Sequence, residues 1–149
     1  MQKCYLALGC FWKPEETFSH TKGIMDTEVG YAGGDSQKVT YEEICKGNTG
    51  HAETVKITFD EKIINYKKIL EIFFQIHDPT QKDMQYPDVG TQYRSEIFYN
   101  NESQKKLAIE EKKILNKKFN NKIETNISEI KNYCKAEEYH QKYIMKRGR

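Results

Sequence analysis

The stretch NYKKILEIFFQIH (residues 65–77) constrains the fold most. Its apolar residues recur at helical spacing, which puts Ile69, Ile72, Phe73 and Ile76 on one side of an amphipathic helix. Such a helix must bury that side against another element. The segments around it supply candidates. KCYLAL (3–8) reads as a short central strand. AETVKITFD (52–60) alternates, so Val55, Ile57 and Phe59 share one face of a strand. SEIFYN (95–100) is a further strand, and IETNISEI (123–130) fits the sheet edge.

The remaining segments complete the pattern. KPEETFSHTKG (13–23) predicts a helix, with Pro14 at its first position, Glu15 and Glu16 in its first turn and Gly23 ending it. GIMDTEVGYAGG (23–34) reads as a strand running into a glycine turn, and TYEEICKG (40–47) as a short helical turn. ESQKKLAIEEKKILNKKF (102–119) predicts a second long helix, capped by Asn101 or Ser103. AEEYHQKYIMK (136–146) predicts a closing helix. Between the long helices lies DPTQKDMQYPDVGTQYR (78–94), a loop long enough to suggest function. The order favours an α+β fold: a two-layer sandwich with helices packed on a mixed or antiparallel sheet. With no repeat or linker, residues 1–149 are expected to form one domain.

Composition excludes several classes of function. No apolar run is long enough to span a bilayer. The start of the chain lacks the pattern of a secretory signal, so a cytoplasmic location without membrane contact is expected. The four cysteines, Cys4, Cys10, Cys45 and Cys134, are too few for a disulfide scaffold, and their spacing does not suggest zinc. No metal or cofactor is expected. Net charge is +2. The basic clusters KKLAIEEKKILNKKF and KRGR read as solvated surface rather than a nucleic-acid face, because glutamate interleaves the first.

Three places carry candidate chemistry. Cys10 sits between a strand end and a helix start, where the helix's free N–H groups lower a thiol pKa. Taken alone, it reads more readily as a small core residue, and its setting is what favours chemistry. Phe11 and Trp12 beside it form an aromatic wall suited to a small apolar group next to an electrophile. Glu53, at the start of a half-buried strand, becomes a general acid if it faces an apolar pocket. His51 is a second candidate there, although Gly50–His51 reads as turn chemistry. In the long loop, Asp88 can orient a water or a tyrosine, and Tyr93 can donate its phenolic proton. An Asx turn and an ordinary strand-edge tyrosine explain that pair as well.

In the order GCFW, VGYAGG, TYEE, TGHAE, HDPTQ, PDVGTQYRS and AEEYHQKY, these motifs resemble peptide methionine sulfoxide reductase of the A type, from Leu6 to about Tyr143. The resemblance implies a ferredoxin-like sheet and reduction of the S epimer of methionine sulfoxide, free or within oxidised proteins. It implies Cys10 as the nucleophile, ending as a sulfenic acid. It implies Glu53 as the acid on the sulfoxide oxygen, with Tyr41 and Tyr93 as further donors and Asp88 supporting them. Phe11 and Trp12 would hold the S-methyl group. Thioredoxin, glutaredoxin or glutathione would return the thiol, and a monomer is expected.

Two departures stand out. Members commonly carry resolving cysteines in a tail after the YHQ segment, and no Cys follows Cys134 here, so Cys134 is a possible resolving residue. Tyr86 also stands where glycine is usual, which bears on substrate access. Two rival readings exist. A thiol peroxidase would use Cys10 without a methyl slot, and a basic α+β binding module would ignore Cys10→Ser. Neither accounts for Glu53, Tyr41 and Tyr93 together.

Overall fold

The structure is a computed structural model and describes residues 1–147. Gly148 and Arg149, in the basic KRGR stretch, lie outside the described residues. The chain runs β1 (Gln2–Leu8), α1 (Trp12–Ser19), β2 (Ile24–Ala32), α2 (Tyr41–Cys45), β3 (Ala52–Phe59) and α3 (Tyr66–Gln75). A small hairpin, β4 (Met84–Gln85) and β5 (Asp88–Val89), and a 3-10 turn (Thr91–Tyr93) follow. Then come β6 (Ser95–Tyr99), α4 (Glu102–Asn116), β7 (Asn126–Glu129), β8 (Cys134–Lys135), a 3-10 turn (Glu138–His140) and α5 (Tyr143–Lys146).

Six strands form one sheet in the order β7-β6-β1-β3-β2-β8. Every neighbouring pair is antiparallel except β6 with β7, so the sheet is mixed but mainly antiparallel, as the sequence suggested. β7 lies at the edge, as expected. The central strands are buried on both faces. Leu6, Val29, Val55 and Ile57 join Phe18 of α1, Ile69, Leu70 and Phe73 of α3, and Ala108 of α4 in the main core. On the opposite face Ala7, Ala32, Ala52 and Phe98 pack beneath Tyr5, Ile130 and Tyr133. That two-sided burial explains the near-continuous apolar run of β1.

The helices form where expected, with corrections of detail. Asn65 caps α3 and Asn101, not Ser103, caps α4, each side chain accepting from the backbone N–H three residues on. Thr40 and Glu43 make a reciprocal capping box on α2. On α3 the buried stripe is Ile69, Leu70, Phe73 and Phe74; Ile72 and Ile76 lie at its margin, because the helix packs between the sheet and α4. α1 begins at Trp12, so Pro14 is its third residue, still within the turn whose N–H groups lack helical partners. It ends at Ser19 rather than at Gly23.

The predicted closing helix is the largest departure. Residues 136–146 form a strap of two short turns joined through Lys142 at φ 53. Gln141 prevents a continuous helix there. Its side-chain oxygen accepts from Val29 N–H at 2.9 Å, and its Nε2 donates to Val29 O at 2.8 Å and Ala136 O at 2.9 Å.

Candidate active site

The tight turn after β1 sets the nucleophile. Gly9 takes φ 93, a conformation glycine adopts without strain, and a Cβ there would meet the Gln85 side chain. The turn places Cys10 directly ahead of α1. Two orphan N–H groups of the helix start then serve two functional groups. Trp12 N–H bonds the Cys10 thiol, and Phe11 N–H donates to Glu53 Oε1 at 3.1 Å.

Glu53 is 2 % exposed and stands opposite Tyr31 in the β2–β3 register. Burial pushes its carboxyl up to about 8; the Phe11 N–H opposes that and the Asp88 charge adds to it. The Cys10 thiol is pushed up to about 12, by burial first and the Glu53 charge second. Trp12 N–H lowers it, as expected of a helix start, but burial and Glu53 outweigh that, which corrects the expected low thiol pKa. Tyr93 is raised to about 12, mainly by burial and then by Glu53. Tyr41 is raised as well, through its hydrogen bond with Cys45 and then burial. At neutral pH all four groups therefore hold their protons.

Cys10, Phe11, Trp12, Tyr41, Glu53, Asp88 and Tyr93 line one cavity of about 130 Å³, together with His140. Arg94 helps fix Tyr93. Its guanidinium reaches Glu96 at 2.6 Å and the carbonyls of Thr91 and Gly50 at 3.0 Å, tying the 3-10 turn to the loop before β3. His51 is not in this group; it is buried and its Nε2 bonds Asn132 O. Cys134 is also outside. It pairs with Tyr31 across the edge of the sheet, its Sγ is 3.8 Å from Val39 O, and it packs on the main core. Tyr31 and Glu53 occupy the same register row, so Tyr31 stands between Cys134 and the acid. Cys45 is exposed, and Cys4 is buried in the core. Tyr86 is 77 % exposed and lines a neighbouring cavity, not this one. Among the described residues, no three His, Cys, Asp or Glu side chains gather as a metal site requires.

His140 has no role in the sequence reading, although it lies in the AEEYHQKY motif. It is 1 % exposed, and its Nδ1 accepts from Trp12 Nε1 at 3.1 Å. Tyr143 stacks on Trp12 with ring centres 3.8 Å apart. Two carboxylates, half-buried Glu137 and buried Glu15, hold the strap that carries them. Glu137 accepts from Tyr31 Oη and Tyr41 N–H, both at 2.8 Å. Glu15 accepts from the Lys142 backbone N–H at 2.7 Å.

The family model described as peptide methionine sulfoxide reductase matches residues 2–149. The chain is 56% identical over 147 residues to peptide methionine sulfoxide reductase MsrA of Pelagibacter ubique, covering 99% of this chain and 100% of the relative. Among solved structures, Mxr1 from Saccharomyces cerevisiae in reduced form superposes with a TM-score of 0.95 at 38% identity, over 99% of this chain and 86% of that one. Mxr1 in complex with Trx2 matches with a TM-score of 0.68 at 28% identity, over 95% of this chain and 84% of that one.

Proposed function

This chain belongs to the peptide methionine sulfoxide reductase family, and on that premise we propose how its own residues carry the reaction. The enzyme reduces methionine sulfoxide to methionine and is recycled by thioredoxin. The observation that carries the assignment of roles is the cavity of about 130 Å³ in which a thiol, a neutral carboxyl and two phenols converge beside two aromatic rings.

The S-methyl group of the substrate lies against Phe11 and Trp12, which aims the sulfoxide sulfur at Cys10. The oxygen then faces Glu53, Tyr41 and Tyr93. A sulfoxide oxygen leaves sulfur only when protonated, and Glu53, protonated below about pH 8, supplies that proton. Neutral Glu53 also removes the second-largest influence holding the thiol proton on Cys10. As the Cys10 sulfur attacks, its own proton replaces the one that Glu53 gave up. A bond forms between the Cys10 sulfur and the substrate sulfur as the substrate's sulfur–oxygen bond breaks; the freed hydroxyl then bonds the Cys10 sulfur, the sulfur–sulfur bond breaks to release methionine, and Cys10 is left as a sulfenic acid. The balance is thiol plus sulfoxide giving sulfenic acid plus thioether, with no outside proton. Asp88 keeps the Glu53 proton in place through its charge.

Thioredoxin then reduces the sulfenate; glutaredoxin and glutathione are further thiol donors in this reading. Free thiols at all four cysteines support a reducing, cytoplasmic setting, and we take the enzyme to act as a monomer built from one domain. The order β6-β1-β3-β2, with α1 and α3 as the crossovers, supports the ferredoxin-like, two-layer description of the scaffold. A resolving role for Cys134 would require β8 to leave the sheet edge.

The test is single-turnover reduction of the separated S and R epimers of N-acetyl-methionine sulfoxide by pre-reduced protein. Methionine from the S epimer alone, abolished in Cys10→Ser, is the expected result. Equal reduction of both epimers, or activity in Cys10→Ser, would overturn the assignment.

A further inference from the structure

Cys10 also lines a second cavity, of about 460 Å³. The two cavities share only Cys10 and Asp88, so the thiol stands where two otherwise separately lined cavities meet. Leu8, Pro14 and Ile76 give the second one apolar walls. His77 is part of it and is uncharged at neutral pH: burial lowers it to about 4, and its ring nitrogens face Phe73 O at 2.6 Å and Ser95 Oγ at 2.8 Å. Lys13 and Tyr86, their side chains 78 % and 77 % open to solvent, stand at its rim. Sulfoxide reduction leaves this cavity unused, because the methyl group and the oxygen are both accommodated in the smaller one.

Regeneration of the thiol has a directional requirement. A thiolate attacks a sulfenate sulfur by placing its lone pair into the sulfur–oxygen antibonding orbital, from the side opposite the departing oxygen. That oxygen came from the substrate and lies with Glu53, Tyr41 and Tyr93. The open approach is therefore on the other side of the sulfur. We propose that the second cavity is the port through which the reactive cysteine of reduced thioredoxin reaches the Cys10 sulfenate, so that the two half-reactions use opposite sides of one sulfur atom. The proposal rests on the reductase reading above. An exposed aromatic residue beside an exposed cation suits contact with a protein rather than a small thiol, and a yeast relative of the same fold is solved in complex with Trx2.

The step balances. The thioredoxin thiolate forms a disulfide bond with the Cys10 sulfur and the sulfur–oxygen bond breaks; the oxygen, which already carries the sulfenic acid proton, takes one more from Glu53 to leave as water, and Glu53 regains its proton from solvent. The second thioredoxin thiol then attacks its partner sulfur, closing the thioredoxin disulfide and returning Cys10 to the thiol. Two electrons pass from the dithiol to the sulfenate.

Two variants separate the half-reactions: Thr17→Phe, at a half-buried residue of α1 that also lines the second cavity and would narrow it, and Tyr86→Asp, at an exposed rim position where folding is not at stake. Each pre-reduced protein is given one equivalent of the S epimer, and methionine is measured. Reduced thioredoxin is then added, and the sulfenate is followed by dimedone labelling. Methionine formation should stay within about twofold of wild type. Sulfenate reduction should slow by about tenfold or more in Thr17→Phe and less in Tyr86→Asp, with dithiothreitol affected less than thioredoxin. Unchanged sulfenate reduction in both variants would place the port elsewhere. Slowed methionine formation would give the cavity to the substrate's main chain. A Cys10 disulfide with Cys45 or Cys134 before thioredoxin is added would rule out direct attack. If the wild type forms no methionine at all, the reductase reading itself fails, and the port fails with it.

Discussion

Two glutamates in this molecule are equally buried and oppositely equipped. Glu15, 0 % exposed on α1, accepts from Thr27 Oγ1 at 2.9 Å, from the Lys142 backbone N–H at 2.7 Å and from Lys142 Nζ at 3.3 Å. Glu53, 2 % exposed on β3, accepts one backbone N–H, and the charge acting on it is the negative Asp88. A buried carboxylate needs a cation and donors to stay ionised. Glu15 has them and fastens the strap to α1 and β2. Glu53 lacks them and keeps its proton, which is what a sulfoxide oxygen requires. The partners a packing arrangement supplies, not depth of burial, separate a fastening from an acid.

Glutamate-to-glutamine substitutions test this contrast directly. The largest effect is expected at the acid: Glu53→Gln should slow methionine formation by roughly 10²–10⁴ in single turnover, the range for a lost general acid. The wild-type rate should fall as pH rises through about 8, where Glu53 loses its proton, and the variant should lack that limb. A wild-type rate that is flat across that range would mean another group delivers the proton.

Next in size is the stability of the same variant. Between the unfolded carboxyl value of 4.5 and the folded value of about 8, folded Glu53 retains a proton that the unfolded chain has released. Its contribution to stability is therefore whole below the lower value and is lost as pH rises through the upper one. Glutamine loses nothing, so Glu53→Gln should be more stable than wild type above pH 8 by about 2–4 kcal/mol, with no such gain in acid. Glu15→Gln should do the reverse at neutral pH. It removes the charge that Lys142 pairs with and should cost about 1–3 kcal/mol, seen as a fall in Tm of about 2–4 °C per kcal/mol. If both variants shift Tm in the same direction at pH 8.5, the contrast is broken.

The smallest effect sharpens the link between strap and site. His140→Phe removes the acceptor of the Trp12 indole N–H. A lost hydrogen bond of about 0.5–1.5 kcal/mol predicts about a 2- to 10-fold rise in the substrate concentration giving half-maximal single-turnover rate. Trp12 is the only tryptophan, so a change in its fluorescence emission reports the altered ring environment independently of activity. Unchanged emission with unchanged substrate dependence would confine His140 to packing.

The sequence revealed elements whose signal is local. The alternation of β3, the helical course of α3 and the Asn101 cap of α4 depend on residues within a few positions of one another, and these formed as expected. The strap did not, because Gln141 and Lys142 are held by Val29 and Glu15, 112 and 127 residues away. β8 was invisible for the same reason: two residues acquire a partner only when β2 lies alongside. At the site, the order of motifs placed Cys10, Glu53, Tyr41, Tyr93, Asp88, Phe11 and Trp12 around one cavity. The high thiol pKa was not legible. The helix start next to Cys10 shows in the sequence, whereas the desolvation that outweighs it exists only once β3 and the long loop close around the sulfur. His140 was missed because its contacts with Trp12 depend on the strap.

The hydrogen bond between Trp12 and His140 joins residues 128 positions apart, and this spacing has a consequence during synthesis. At about 5–20 residues per second, a ribosome needs about 6–25 s to add the intervening chain. Throughout that interval the nascent polypeptide already displays Cys10 but lacks the histidine and tyrosine that steady the tryptophan. Until the strap emerges, the cysteine is an ordinary thiol on an unfinished chain, open to any oxidant it meets. The repair enzyme is thus itself vulnerable while being made, and completing translation is what turns a potential target of oxidation into a catalyst that reverses it.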